Sequence, residues 1–87
     1  MTSPKKTLAK ILRGTSDANI RFGDLRTLLL ALGFEERTRG SHRIFKRDDI
    51  DEIITLQPRG SKAKSYQVRQ VRGLIIKYGL ASYGDDA

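Results

Sequence analysis

Four leucines constrain this chain more than any other feature. Leu25, Leu28, Leu29 and Leu32 recur at i, i+3, i+4 and i+7, the spacing of one face of an α-helix, and Gly33 follows where a left-handed C-cap belongs. This spacing predicts a helix over residues 22–32 with its leucine face in a core. A second amphipathic segment, residues 66–78, ends before Gly79. At about 100° per residue, Val68, Val71, Leu74, Ile75 and Tyr78 fall on one side, while Arg69, Gln70, Arg72 and Lys77 lie opposite or at its edges. Fully burying one large apolar side chain is worth about 1.5–3 kcal/mol, so both helices need a surface to bury against.

The segment between them supplies it. Residues 34–38 and 41–47 have the aromatic and β-branched content of strands and flank Arg39-Gly40, a tight reversal, so they read as a hairpin. Residues 46–51 are charged and predict a turn, and residues 53–57 a third strand stopped by Pro58. Residues 59–65 read as a flexible loop of Gly, Ser and Lys. Near the start, Leu8, Ile11 and Leu12 predict a short helix over residues 7–13 ended by Gly14, followed by a Ser, Thr, Asp and Asn turn at 15–19. The tail, 82–87, reads as frayed. The predicted fold class is α+β, a three-stranded antiparallel sheet with helices packed on one face. Without the extra short N-terminal helix, this is the element order of a double-stranded-RNA-binding domain.

Composition narrows the setting. The 87 residues fit a single domain, 1–87. The absence of cysteine excludes disulfides and thiolate metal sites. No run approaches the roughly 20 apolar residues of a membrane span, and residues 1–6 lack the apolar core of a signal peptide. A cytoplasmic location with no membrane partner is therefore expected. Lys and Arg total 17 against 10 Asp and Glu, a net charge of +7, which favours a polyanionic partner. Residues 53–84 contain no acid, while Arg59, Lys62, Lys64, Arg69, Arg72 and Lys77 all fall there. Lys62 and Lys64, just before a helix whose first turn presents backbone amides, suit a phosphate clamp that Arg69 and Arg72 extend. The alternative for each is a solvated helix face.

Other chemistries lack their signatures. There is no Walker loop, no His-Glu-x-x-His and no histidine pair, and Asp48, Asp49, Asp51 and Glu52 have neither EF-hand spacing nor its glycine. Neither a metal nor a small-molecule cofactor is expected. Phe34, Phe45 and Tyr78 read as core, which leaves no row of exposed rings for stacking single-stranded bases.

Several motifs together carry a family resemblance: Leu32-Gly33-Phe34 closing a helix, Arg39-Gly40-Ser41-His42 leading into the second strand, Phe45 beyond it, and Tyr66-Gln67-Val68-Arg69-Gln70-Val71-Arg72 opening the last helix. Over residues 22–80 the chain resembles the HicA family of bacterial toxins. The resemblance implies a double-stranded-RNA-binding-like fold, ribonuclease activity towards messenger RNA, a catalytic histidine at His42 and a HicB-type antitoxin as partner. Many members carry a histidine-containing turn after the third strand. Here that place reads Gln57-Pro58-Arg59-Gly60-Ser61, so a scheme with two imidazoles is not implied.

His42 is the single histidine. RNA cleavage without a metal ion uses the ribose 2′-hydroxyl as nucleophile, and a side chain with an ordinary pKa of about 6.5 exists in both protonation states near neutrality. The period of two places Lys46 on the face of His42 and Arg43 on the opposite one. Lys46 is therefore the expected phosphate cation, with Arg43 a further RNA-binding candidate. Gly40 permits a positive φ or a close approach of RNA, and Ser41 has a hydroxyl to donate to phosphate, although both also suit an ordinary turn. Two other functions remain open: a non-catalytic double-stranded-RNA-binding module, and a DNA-binding protein using residues 66–80 as a recognition helix. The intervening strands argue against the second.

Overall fold

The computed structural model describes residues 3–82, and the expected fraying of the tail falls almost wholly outside them. Helix α1, Pro4–Arg13, starts earlier than the apolar spacing predicts. Ser3 caps it by accepting the Lys6 N–H at 3.3 Å, and Pro4 occupies the first helical position, where its missing N–H costs nothing. A single 3-10 turn, Asp17–Asn19, leads to α2, Phe22–Ala31, with Leu25, Leu28 and Leu29 buried. Leu32 caps α2 and is also buried. Three strands follow, β1 at Glu35–Arg39, β2 at His42–Arg47 and β3 at Ile50–Leu56, forming an antiparallel sheet in the order β1-β2-β3. Helix α3, Ser65–Lys77, buries Val68, Val71, Leu74 and Ile75.

Two sequence expectations are corrected. The β2–β3 turn is only Asp48-Asp49, and β3 begins at Ile50, which pairs with Arg47 and is buried. Four acidic neighbours hide this strand's start in the sequence, but the alternation of Ile50, Glu52, Ile54 and Leu56 carries it inward. Residues 59–65 are not an open loop. Pro58–Arg59, β4, pairs with Lys62–Ala63, β5, across Gly60-Ser61. The end of the N-terminal segment extends this ribbon: the Ala63 N–H donates to the Ile20 carbonyl at 2.9 Å, the Phe22 N–H to that of Ser61 at 3.0 Å, and Arg21 bridges to Lys62.

One face of the sheet is buried. Phe45, Ile50, Ile54 and Leu56 point to the helices and join Leu25, Leu28, Val68, Val71 and Ile75 in a continuous cluster, in the α+β, double-stranded-RNA-binding-like arrangement. Helix α1 packs on α2 and α3, adding Leu8 and Ile11 to that cluster. Arg72 on α3 ties it down, donating to the Ile11 carbonyl at 3.2 Å and to both carboxylate oxygens of Asp17 at 2.8 and 3.2 Å. This bidentate pairing holds the Asp17 carboxyl below the usual carboxylate range.

Candidate nucleic-acid interface around His42

His42 is positioned by the hairpin. Gly40 has a φ of 61°, and no described non-glycine residue has a positive φ. Gly40-Ser41 is therefore a two-residue turn with its left-handed position first, the II′ arrangement that matches strand twist. The turn pairs Arg39 with His42, making His42 the first residue of β2. It is exposed, and the period of two puts it with Ile44 and Lys46 on the face away from the helices, while Phe45 is buried on the other.

The cross-strand register names neighbours that the sequence reading missed. Arg39 stands directly opposite His42, and Arg37 opposite Ile44 two pairs further, so both share its face. Opposed Cβ atoms lie about 4.5–5.5 Å apart, whereas Lys46, four residues along the strand, is about 13 Å from His42. Lys46 does share the face, with Glu35 across from it. Counting outward from the Gly40-Ser41 turn was the signal that would have identified Arg39.

The remaining sequence candidates separate. Arg43 lies on the helix-side face, donating to the Thr38 hydroxyl at 3.0 Å and sitting 3.7 Å from Glu36. The Glu36 carboxyl is held low chiefly by the Arg26 guanidinium, whose Nε is 2.7 Å away. Arg72 is turned inward onto Asp17, with only 21 % of its side chain exposed, so it braces the fold instead of extending a basic surface. Arg69 remains exposed on α3. Gly40 and Ser41 are both exposed, and a Cβ built on Gly40 meets nothing within 4 Å.

Lys62 and Lys64 line a cleft of about 280 Å³ together with Arg59 and Ser65, the first residue of α3. No carboxylate lines it. The cleft lies at the same end of the sheet as His42. Leu56 pairs with Arg43, the neighbour of His42, and Arg59 follows three residues later, a stretch of at most roughly 11 Å. Among the described residues, Arg37, Arg39, Arg59 and Lys64 make no ion pair, so this end of the molecule presents cations that no salt bridge neutralises; Lys46, at the far end of β2, and Arg69, which feels the charge of Asp17, make none either. At the opposite end of β3, Glu52 accepts from the Tyr78 hydroxyl and from Lys77 Nζ at 3.0 Å, which uses up the charge of Lys77.

No three His, Asp or Glu side chains gather as metal ligands among the described residues. None of their helices is long and apolar enough to cross a membrane.

A family model described as "HicA toxin of bacterial toxin-antitoxin" matches residues 22–79. It runs from the start of α2 to just past α3 and leaves α1 and the 3-10 turn outside. No curated protein and no solved structure matches the chain. With a match over well more than half its length, on a fold of the expected order and a hairpin that sets His42 at the head of β2, the chain belongs to the HicA toxin family of bacterial toxin-antitoxin systems.

Proposed function

We propose that this protein is an RNA endonuclease toxin that cleaves messenger RNA without a metal ion, using His42 for proton transfer, and that a HicB-type antitoxin neutralises it. The observation that carries this reading is the setting of His42: exposed, opposite Arg39, and at the sheet end from which the Arg59, Lys62 and Lys64 cleft opens. In the proposed reaction the imidazole takes the proton of a ribose 2′-hydroxyl. The 2′-oxygen then bonds to the adjacent phosphorus, the bond from phosphorus to the 5′-oxygen breaks, and that oxygen takes up a proton. Arg39 is the nearest cation by register to balance charge on the phosphoryl oxygens. Gly40, at the turn, leaves room for the RNA backbone beside the histidine. Arg69 and Lys46 are further along the exposed surface and contribute to holding RNA without touching the reacting atoms.

The basic surface also suits an acidic antitoxin, and one that covers His42 would block the reaction by occlusion. Purified protein and His42→Ala, each incubated with messenger RNA in EDTA, test the proposal. General acid or base catalysis contributes about 100- to 10,000-fold, so His42→Ala loses cleavage by that order while still binding RNA. Equal cleavage by both proteins ends the reading. The lysine cleft by itself would also serve a non-catalytic binder of duplex RNA, and intact RNA after prolonged incubation with the unaltered protein would favour that function.

A further inference from the structure

We propose that the segment preceding the family match completes a second phosphate-binding groove, formed by Lys10, Asn19, Arg21 and Lys62, that takes the sugar–phosphate backbone of the RNA beyond the cleavage site; the inference rests on the RNA reading above. The groove is a cleft of about 240 Å³ between α1, the start of α2 and β5. Lys62 belongs to its wall and also to that of the Arg59 and Lys64 cleft, so the two adjoin and continue towards the His42 end of the sheet.

The chemistry turns on Asn19. Its backbone carbonyl accepts from Lys10 Nζ at 3.0 Å, and its side-chain oxygen accepts from Lys62 Nζ at 3.2 Å. Two ammonium groups from segments 52 positions apart in sequence are thus gathered on one neutral residue, and neither makes an ion pair. Arg21, exposed and also without an ion pair, stands on the same wall. Like charges held together repel, and an aspartate at position 19 would relieve them. An amide there keeps the positive field open to an anion from outside. Asp24 is the one carboxylate in the lining, and it too makes no ion pair.

The lining favours a phosphate chain over an acidic protein. Protein interfaces draw affinity from exposed apolar and aromatic anchors. The apolar member of this wall, Ile20, is buried in the core. A backbone with repeated charge needs only spaced cations, and Lys10, Arg21, Lys62, Arg59 and Lys64 supply them along the two joined clefts.

The test uses the full chain carrying His42→Ala, so that RNA survives, with a 20-nucleotide unstructured RNA and its duplex as probes between 50 and 200 mM salt. Adding Asn19→Asp is expected to weaken RNA binding by about threefold to tenfold and to lower the slope of log affinity against log salt by about one phosphate contact. It should leave the melting temperature unchanged or raise it, because the new carboxylate neutralises two cations; a merely damaged fold would move the other way. Lys10→Gln with Arg21→Gln should lower the slope by about two contacts, and Asp24→Asn should tighten binding. If the parent His42→Ala binds RNA and all three changes leave affinity and slope alone, the groove is not an RNA site while the functional reading stands. If the parent binds no RNA and the unaltered chain cleaves none, that reading itself falls. Loss of poly-glutamate binding in Asn19→Asp with RNA affinity intact would overturn the proposal in favour of an acidic polypeptide.

Discussion

Replacing Ile11 by alanine tests whether α1, which lies outside the family match, is part of the cooperative fold. Ile11 has no exposed surface, and it joins the cluster that contains Leu25, Leu28 and Val71. Removing its outer carbons forfeits their transfer energy and leaves a cavity, because Arg72 and Asp17 hold the helix against collapse from outside. Changes of this type cost about 2–5 kcal/mol, offset by a few tenths for alanine's better helix propensity. At about 4–8 °C per kcal/mol for a domain of this size, the thermal midpoint falls by roughly 10 °C or more. Leu12→Ala is the control. It removes a similar side chain from the next position, but that residue is 37 % exposed, so its cost should be several times smaller. Circular dichroism melts and urea titrations of the three proteins measure both changes. If Ile11→Ala and Leu12→Ala match within error, α1 frays independently of the core, and its assigned role as a wall of the groove loses its footing.

The remaining predictions concern pH and backbone geometry. Hydrogen bonds from Arg72, Arg26 and Tyr78 hold the carboxyls of Asp17, Glu36 and Glu52, respectively, below their ordinary range. The folded state therefore binds fewer protons than the unfolded chain in acid, so the stability these groups contribute is present above the unfolded carboxylate values of about 4 and is lost as pH falls through the folded ones. Asp17→Asn should flatten the acid limb of urea midpoints taken from pH 6 to 3, and an unchanged limb would count against the Arg72 clamp. The Tyr78 hydroxyl is raised, chiefly by its hydrogen bond to Glu52, so its contribution is lost as pH rises through the folded value above 10, and Tyr78→Phe should flatten the alkaline limb. Gly40→Ala should cost about 1–2 kcal/mol through its left-handed φ alone, since the space around it is open. Gly73→Ala, inside α3 with nothing within 4 Å, should stabilise by up to about 1 kcal/mol, and urea midpoints measure both.

Much of the fold is legible in local periodicity. The leucine face of α2, the apolar face of α3 and the hairpin around Gly40 are each written within a dozen residues, because helix and strand periods place neighbours on a common face whatever surrounds them. The start of β3 was not legible, since Asp48, Asp49, Asp51 and Glu52 outnumber Ile50 in any short window. The β4–β5 ribbon was hidden for a different reason. Its pairing is completed by residues 20–22, some 40 positions earlier, and reads as a Gly-Ser-Lys loop until those backbone groups arrive.

The candidate site divides in the same way. His42 and its hairpin are sequence-local, so alternation alone put His42 and Lys46 on one face and Arg43 on the other. Pairing register, which brings Arg39 rather than Lys46 opposite the histidine, needed the turn type as well. Arg69 lies opposite the apolar face of α3 and Arg72 at its edge, about 60° away on a helical projection, but the projection does not reveal that Arg72 clamps Asp17 while Arg69 stays exposed. Residue order alone is enough for the periodic elements, the excess of positive charge and the single imidazole. Which cations are neutralised inside the molecule and which remain facing outward is settled by the folded packing, because an ion pair depends on distance in space between segments that the chain order leaves far apart.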